Sequence, residues 1–416
     1  MEHGTAVSAE EQTPFSLSGR HVLLGVTGSI AAYKTADWVR RLTAQSARVT
    51  VVMTRAAEKF VSRLTFSSLS GGPVHVELFS ERPDGSMPHI DLAREADLYL
   101  IAPATAQTIA RLAHGLADDL LSTLALAADI PVLVCPAMNP TMYAHGATRR
   151  NMALLREYGY QVIAPGKGST ACGEEGRGRL AEWPEVEERL LSRLCRQDLH
   201  GLRIICTAGP TREPIDPARY LGNRSSGRMG YALAKTAARR GADVVLVSGP
   251  TCFPDPPLVT TIRVTTAREM RDQVLDQVGG ADIVVKAAAV ADYRPRNFSD
   301  QKIKKDGGSL RLDLVENPDI LAELGRNRPT NSTLIVGFAA ESSAHEQEAR
   351  RKLNRKGADL IIANDILGSR TGFDAETNQV VLVDGSGSHP LPLLGKEETA
   401  NRIWDHILAL RKRLFR

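Results

Sequence analysis

Three residues in the first half of the chain point to chemistry only as a set: His89 in MPHIDL, an imidazole that could act as a base, Asn139 in PAMNP, and Cys172 in TACGEEG. Each also has an ordinary structural reading. A lone histidine ahead of a short helix is a solvated loop residue, and an asparagine followed by Pro140 is an N-cap with proline at the first helical position. Cys172 is less easily absorbed. Structural cysteines prefer apolar cores, whereas this one lies in the Gly-rich stretch PGKGSTACGEEGRGRL at 165–180, a loop able to fold over a ligand.

The second half carries a different set. NRSSGRMG at 223–230 offers two hydroxyls and two glycines at a helix start, an anion cradle for which a plain serine cap accounts only in part. KAAAVADYRP at 286–295 is a strand end that delivers Asp292, and KIKK at 302–305 brings Lys302, Lys304 and Lys305. A carboxylate followed by a lysine loop suits Mg2+ and a nucleoside triphosphate: the acid holds the metal and an ammonium offsets charge growing at the α-phosphate. A lysine run alone is a solvated loop. ENPDI at 316–320 reads as a turn into a helix, and GFAAE at 337–341 as another strand end. Lys352 and Lys356 share one helix face, where Glu348 could equally pair with Lys352 as a surface ion pair.

Two strand, glycine-turn, helix openings must position these groups, HVLLGVTGSIAAYK at 21–34 and RIICTAGPTREPID at 203–216. Each begins its own alternation of strands and helices, so the chain is α/β with two doubly wound, Rossmann-like domains, the first flavodoxin-like. Strands are expected at 21–26, 48–53, 98–102, 131–135 and 161–163, then at 203–207, 243–247, 259–264, 282–288, 333–337 and 359–363. Helical periodicity is clearest over 108–127 and 184–197, and helices are expected to start at Gly227, Ala267, Asp319, Ser343 and Lys396. Residues 292–313 show no period and read as a mobile loop. The boundaries expected are a disordered tail at 1–18, a first domain at 19–198 and a second at 199–416.

In the first domain Gly28 and Ser29 end a strand and open a helix, and APAT at 102–105 does the same with Thr105. Two such ends suit a mononucleotide better than a dinucleotide, and GVTGSIA is not GxGxxG. Ordinary turns and caps remain the alternative. Composition narrows the classes further. The 416 residues are 43% hydrophobic and 24% charged, with 52 basic against 48 acidic side chains for a net charge of +4. That is a globular balance with no call for nucleic acid as a partner. Five cysteines without a CxxC pair argue against zinc or a disulfide framework, and the polar, acidic first eighteen residues do not read as a signal peptide, so a cytoplasmic location is expected.

VTGSIAAYK, APATA, HIDL, PAMN and the ACG loop together resemble the flavin-containing cysteine decarboxylases, in their phosphopantothenoylcysteine decarboxylase branch. The resemblance implies bound FMN contacted by Gly28, Ser29, Thr54 and Thr105, with Gln107 standing where an asparagine is expected. It implies oxidation of the substrate thiol with the flavin as electron store, loss of CO2 to an enethiolate, and return of the electrons. Asn139 would hold the carboxylate, His89 would orient the substrate or manage its proton, and Cys172 would donate the final proton. TAGPTREPIDPARYLGNRSSGRMG, AAVADYRP, KIKK, NPDI and GFAAE follow one another as in the phosphopantothenate–cysteine ligase family.

From about 20 to 412 the chain thus resembles the bacterial bifunctional family that fuses the two activities of coenzyme A biosynthesis. That implies CTP, 4'-phosphopantothenate and cysteine as substrates, with Lys302 at the α-phosphate, Asp292 on Mg2+ and Asn223 on an acyl cytidylate. Ala288, Asn317, Pro318, Asp319, Ile320, Phe338, Lys352 and Lys356 would surround the nucleotide. Lys286 departs from the small or apolar residue expected before AAAVADY. The family further implies homo-oligomers, trimeric through the first half and dimeric through the second, up to a dodecamer. Two other classes stay open: a pair of nicotinamide-dependent reductase domains, which the missing GxGxxG and Tyr-x-x-x-Lys pair oppose, and a non-catalytic flavin-binding protein.

Overall fold

The computed structural model describes residues 16–79, 87–169, 173–304, 309–341, 345–365 and 375–415. Contacts divide the chain into two compact units, Met1–Cys195 and Arg196–Arg416.

The first unit is a six-stranded sheet in the order β3-β2-β1-β4-β5-β6, every neighbouring pair parallel. Its strands are β1 (His21–Val26), β2 (Arg48–Met53), β3 (Val74–His75), β4 (Leu98–Ala104), β5 (Val132–Pro136) and β6 (Gln161–Val162). Both faces are covered, which is why β1 and β4 are buried at every residue. Alternation divides them: Val22, Leu24 and Val26 join one core with Leu98 and Leu100, while Leu23 joins the other with Tyr99 and Ile101. The first core is covered by α1 (Ala32–Ala44), α2 (Arg63–Ser70) and α8 (Trp183–Leu194), the second by α3 (Pro88–Glu95), α4 (Ala106–Ala113), α5 (Leu120–Ala127) and α7 (Gly146–Glu157). A short α6 (Pro140–Ala144) follows β5.

Three expectations are corrected. The helix expected over 108–127 is two, because Gly115 turns at φ +65° and Asp119 restarts the helix by accepting from the Ser122 N–H at 2.7 Å. The doubly wound, Rossmann-like sheet is as expected: without the two-residue β3, the order β2-β1-β4-β5-β6 is also that of a flavodoxin-like sheet. The Gly-rich stretch contains an antiparallel hairpin, β7 (Gly166–Ser169) and β8 (Glu175–Arg179). Leu17, 1% exposed, is part of the core, so packing reaches into the segment expected to be a tail; residues 1–15 lie outside the described residues.

The second unit is an eight-stranded sheet, β13-β12-β9-β14-β17-β18-β20-β21. Its parallel part comprises β9 (Arg203–Ala208), β12 (Asp243–Ser248), β13 (Thr260–Arg263), β14 (Ile283–Lys286), β17 (Leu334–Glu341) and β18 (Leu360–Asp365). An antiparallel edge of β20 (Val380–Asp384) and β21 (Gly387–Pro390) was not expected from the sequence. Helices α9 (Arg228–Arg239) and α13 (Lys396–Leu414) cover one face, and α10 (Ala267–Gln277), α11 (Ile320–Arg326) and α12 (His345–Lys356) the other. Trp404 of α13 is fully buried, with its indole N–H shared by the Leu233 carbonyl and the Thr236 hydroxyl at 3.1 Å each. Three two-stranded ribbons complete the unit: β10 (Arg212–Asp216) with β11 (Arg219–Gly222), β15 (Tyr293–Pro295) with β16 (Leu314–Glu316), and β19 (Thr377–Asn378) with β22 (Leu394–Gly395). The β15–β16 ribbon pairs the start of the segment read as a mobile loop with the residues just after its end. No helix of the described residues is long and apolar enough to cross a membrane.

Candidate functional sites

In the first unit the chain leaves β1 toward β2 on one side and β4 toward β5 on the other, so a crevice opens at the carboxyl ends of β1 and β4. Thr27 ties the two ends: its hydroxyl donates to the Pro103 carbonyl at 2.6 Å and accepts from the Thr105 N–H at 3.1 Å. Gly28 is required by close approach, since a Cβ there would lie 2.6 Å from that of Ala56. The Thr54 N–H donates to the Val26 carbonyl at 3.0 Å, and its hydroxyl accepts from the Ala57 N–H. The Thr105 hydroxyl caps α4.

A cleft of about 480 Å3 beside them is lined by Ser29, Tyr33, Lys34, Met138, Asn139 and Arg179, among others. Its far wall is β8, which the Met138 N–H holds by donating to the Gly178 carbonyl at 2.9 Å. A side chain at Gly178 would run into the Met138 carbonyl oxygen. Asn139 caps α6 by accepting from the Thr141 N–H at 2.8 Å, and it lines the cleft as well. Gly28, Thr54 and Thr105 stand at neighbouring strand ends outside this lining. So does His89, in the first turn of α3, whose Nδ1 is buried with no hydrogen-bond partner among the described residues. Cys172 lies outside the described residues. Burial pushes the Cys206 thiol of the second unit up to about 12, so that cysteine is inert core.

In the second unit the turn after β9 and the loop after β14 are stitched together. The Ala288 N–H donates to the Thr207 hydroxyl and the Ala291 N–H to the Thr211 hydroxyl, both at 3.0 Å, and Ala289 donates to the Gly209 carbonyl at 2.9 Å. Two cleft lobes of about 510 and 500 Å3 meet over this loop and share Ala288, Val290, Asp292, Phe338 and Lys352. The first lobe takes in the whole run 223–230. Gly227 adopts φ +82° to turn into α9, and Gly230 lets that helix rest on β9, where a Cβ would stand 2.6 Å from that of Ala208. Asn223 donates from Nδ2 to the Val290 carbonyl at 3.0 Å.

The second lobe takes in Lys286, Asn317, Pro318, Asp319, Ile320 and Lys356. Asn317 donates to the Ala291 carbonyl from its side chain and to the Asp292 carbonyl from its backbone, both at 2.8 Å. Asp319 caps α11 by accepting from the Ala322 N–H at 3.0 Å and pairs with Lys356. Partial burial would raise its carboxyl, but Lys356 and that N–H outweigh it and hold it below the ordinary range. Lys352 donates to the Phe338 carbonyl at 2.8 Å.

Lys302 is exposed and outside the lining of both lobes, although its neighbour Ile303 is anchored between Asp216 and Arg219. Lys305 lies outside the described residues. Sequence reasoning missed Asn364, Asn378 and Lys396, which line the first lobe from β18, β19 and the start of α13. Asn364 ends an apolar strand run as Asp292 follows one, a signal available in LIIAND.

Two family descriptions match the chain. "Flavoprotein" covers residues 10–195, and "DNA/pantothenate metabolism flavoprotein C-terminal domain" covers residues 199–410. The coenzyme A biosynthesis bifunctional protein CoaBC of Vibrio vulnificus is 46% identical over 405 residues, 95% of this chain and 99% of the relative. Those of Bacillus subtilis and Escherichia coli K12 are each 44% identical, over 402 and 400 residues, covering 95% and 94% of this chain and 98% of each relative. Among solved structures, the C-terminal domain of a CoaBC protein matches 51% of this chain and 97% of that chain, at 40% identity and a TM-score of 0.45.

Proposed function

The chain belongs to the family of bifunctional coenzyme A biosynthesis proteins, a ligase and a decarboxylase on one polypeptide, and from that premise we propose the chemistry of each half. The second unit joins 4'-phosphopantothenate to cysteine. A carboxylate is a poor acyl donor, so the substrate carboxylate first attacks the α-phosphate of CTP, expelling pyrophosphate and forming an acyl cytidylate. The amine of cysteine then displaces CMP to form the amide.

The observation that carries this reading is the pair of lobes joined at Asp292 and Phe338. One is sized for a nucleotide beside Asn317, Pro318, Asp319, Ile320 and Lys356, the other for the acyl partner beside Asn223. Asp292, a carboxylate common to both, fits a hard oxygen-ligated cation and would hold Mg2+. Ala288, Phe338 and Lys352 line the junction. Lys302 would reach the α-phosphate from its exposed loop.

The first unit, a flavoprotein, converts phosphopantothenoylcysteine to 4'-phosphopantetheine with release of CO2. Its crevice fits FMN by donor set: the Ser29 hydroxyl and the start of α1 for the phosphate, beside Gly28, Thr54 and Thr105, with apolar walls from Ile30, Tyr33 and Leu180. Bound FMN would supply the electron store that a saturated cysteine lacks. Asn139 would hold the departing carboxylate, His89 would position the substrate or take its proton, and Cys172 would protonate the enethiol carbon. Within one chain His89 is not among the residues lining the cleft that holds Asn139, and a second copy of the chain would bring one to it. A trimer through this half, with a dimer through the ligase half, would supply it. The enzyme works in the cytoplasm.

The purified protein, given phosphopantothenate, cysteine and either CTP or ATP, tests all of this at once. Yellow protein that releases CMP, pyrophosphate and CO2 in equal amounts supports the reading. Equal turnover of ATP removes the cytidine preference, and colourless protein that releases no CO2 overturns the decarboxylase half.

A further inference from the structure

Lys286 is the last residue of β14, between Thr207 of β9 and Gly337 of β17. It is half-buried and lines the second lobe, and among the described residues its ammonium makes no hydrogen bond and no ion pair. An ammonium drawn out of water without a counter-ion is costly, so such a lysine needs either an anion or the loss of its proton. The charged groups lining the lobe around it are Asp292 on the loop after β14, Glu316 on β16, Asp319 at the start of α11, and Lys352, Arg355 and Lys356 on α12. Asp319 is already engaged, with one oxygen on the Ala322 N–H and the other on Lys356. Burial, and then repulsion from Lys352, push the Lys286 ammonium down to about 7, with Asp319 and Asp292 offsetting only part of this. The lobe therefore has a cation in waiting and no protein carboxylate assigned to it.

We propose that Lys286 is an anion-binding residue of this cleft: its ammonium meets a phosphate oxygen of the bound nucleoside triphosphate, and the side chain takes up a proton from solvent as the phosphate enters. The inference rests on the reading of this cleft as the nucleotide site. Binding is then strongest at low pH, where Lys286 already carries its proton, and weakens as pH rises and the proton must be found at the moment of binding.

The test is titration calorimetry of CTP with Mg2+ into the full-length protein at pH 6 and pH 8, in buffers of differing ionisation enthalpy. Lys286→Arg keeps the cation but cannot lose its proton, and it cancels the nucleotide's own titration. Relative to that variant, the wild type is expected to take up about 0.9 proton per CTP at pH 8 and about 0.1 at pH 6, and its Kd to rise about tenfold between the two. Lys286→Met is expected to bind CTP at least tenfold more weakly than wild type at pH 6, with no excess proton uptake.

Wild type that binds CTP with the proton count and pH dependence of Lys286→Arg overturns the inference while leaving the nucleotide site standing. Wild type that does not bind CTP overturns both. If Lys286→Met does not fold by circular dichroism, the Lys286→Arg comparison decides alone.

Discussion

Asp319 does two things that substitution can separate. It caps α11 through one oxygen and answers Lys356 with the other. Asp319→Asn keeps an acceptor for the cap and removes the charge, whereas Asp319→Ala removes both. Chemical denaturation should find the alanine variant about 1 kcal/mol less stable than the asparagine variant. Both should raise the KM for CTP several-fold by releasing Lys356; an unchanged KM in both would detach this pair from the nucleotide. The two steps of the ligase reaction separate in the same way. Lys302→Gln is expected to abolish pyrophosphate release, while Asn223→Asp leaves that release intact and slows amide formation, and normal amide formation by both would remove these roles. Asn139 shows how much the sequence could say at this scale. The cap and the functional reading compete on paper, yet the structure has the side chain cap α6 and line the cleft at once. The vicinity of Asn139 to Ser29 was legible, because both follow strands of one parallel sheet. That His89 would fall outside the lining of that cleft was not, since α3 is placed by packing that no local pattern encodes.

At the scale of elements, α13 is fastened to the β20–β21 edge by one buried carboxylate. Asp384 accepts from Ser386 through its hydroxyl at 2.6 Å and its N–H at 2.7 Å, and from His406 and Arg413 of α13 at 3.0 and 2.7 Å. Burial would raise its carboxyl, but these donors outweigh it and hold it far below the usual range, while burial keeps His406 low despite Asp384. Both folded-state values lie below the unfolded ones, so both groups contribute stability that is complete above the unfolded value and fades as pH falls. For His406 that fading begins near pH 6.5, and for Asp384 only near pH 4. The ligase half should therefore melt at lower temperature at pH 5 than at pH 7, and His406→Gln should shrink that difference. Asp384→Ala should cost about 3 kcal/mol at neutral pH by leaving the donors unmet.

In the other unit, Gly178→Ala should push the β7–β8 hairpin off the Met138 carbonyl and lower decarboxylation at least tenfold, with ligase turnover unchanged; a normal CO2 rate would show that the hairpin does not shape the cleft. Elements of this kind were the least legible. Apolar runs such as HVLLGV and DVVLVS announce strands buried on both faces, whereas GKGS and EGRGR pair through backbone alone and look like loop. The break between α4 and α5 hid inside an apolar period, and only Gly115 and Asp119 marked it.

The whole molecule consists of two units whose cores share no residue: sheet and helices up to Leu191 build one pair of clusters, and those from Leu199 onward build the other. Each crevice is lined from within its own unit, and the carboxyl ends of each sheet gather the residues that line it. A defect in one half should therefore leave the chemistry of the other intact. Lys302→Gln should still release CO2 from phosphopantothenoylcysteine at the wild-type rate while forming none of it, and Asn139→Asp should accumulate that compound. Mixed in equal amounts, the two variants should carry phosphopantothenate and cysteine through to phosphopantetheine, with a lag while the intermediate builds up in solution. Time courses of CMP and CO2 read this directly, since CMP should appear at once and CO2 should trail it. A wild-type enzyme that shows the same lag passes its intermediate through solution. A wild-type enzyme without one, beside a mixture that has it, would show that an intermediate made on one chain reaches the decarboxylase of the same assembly before it escapes.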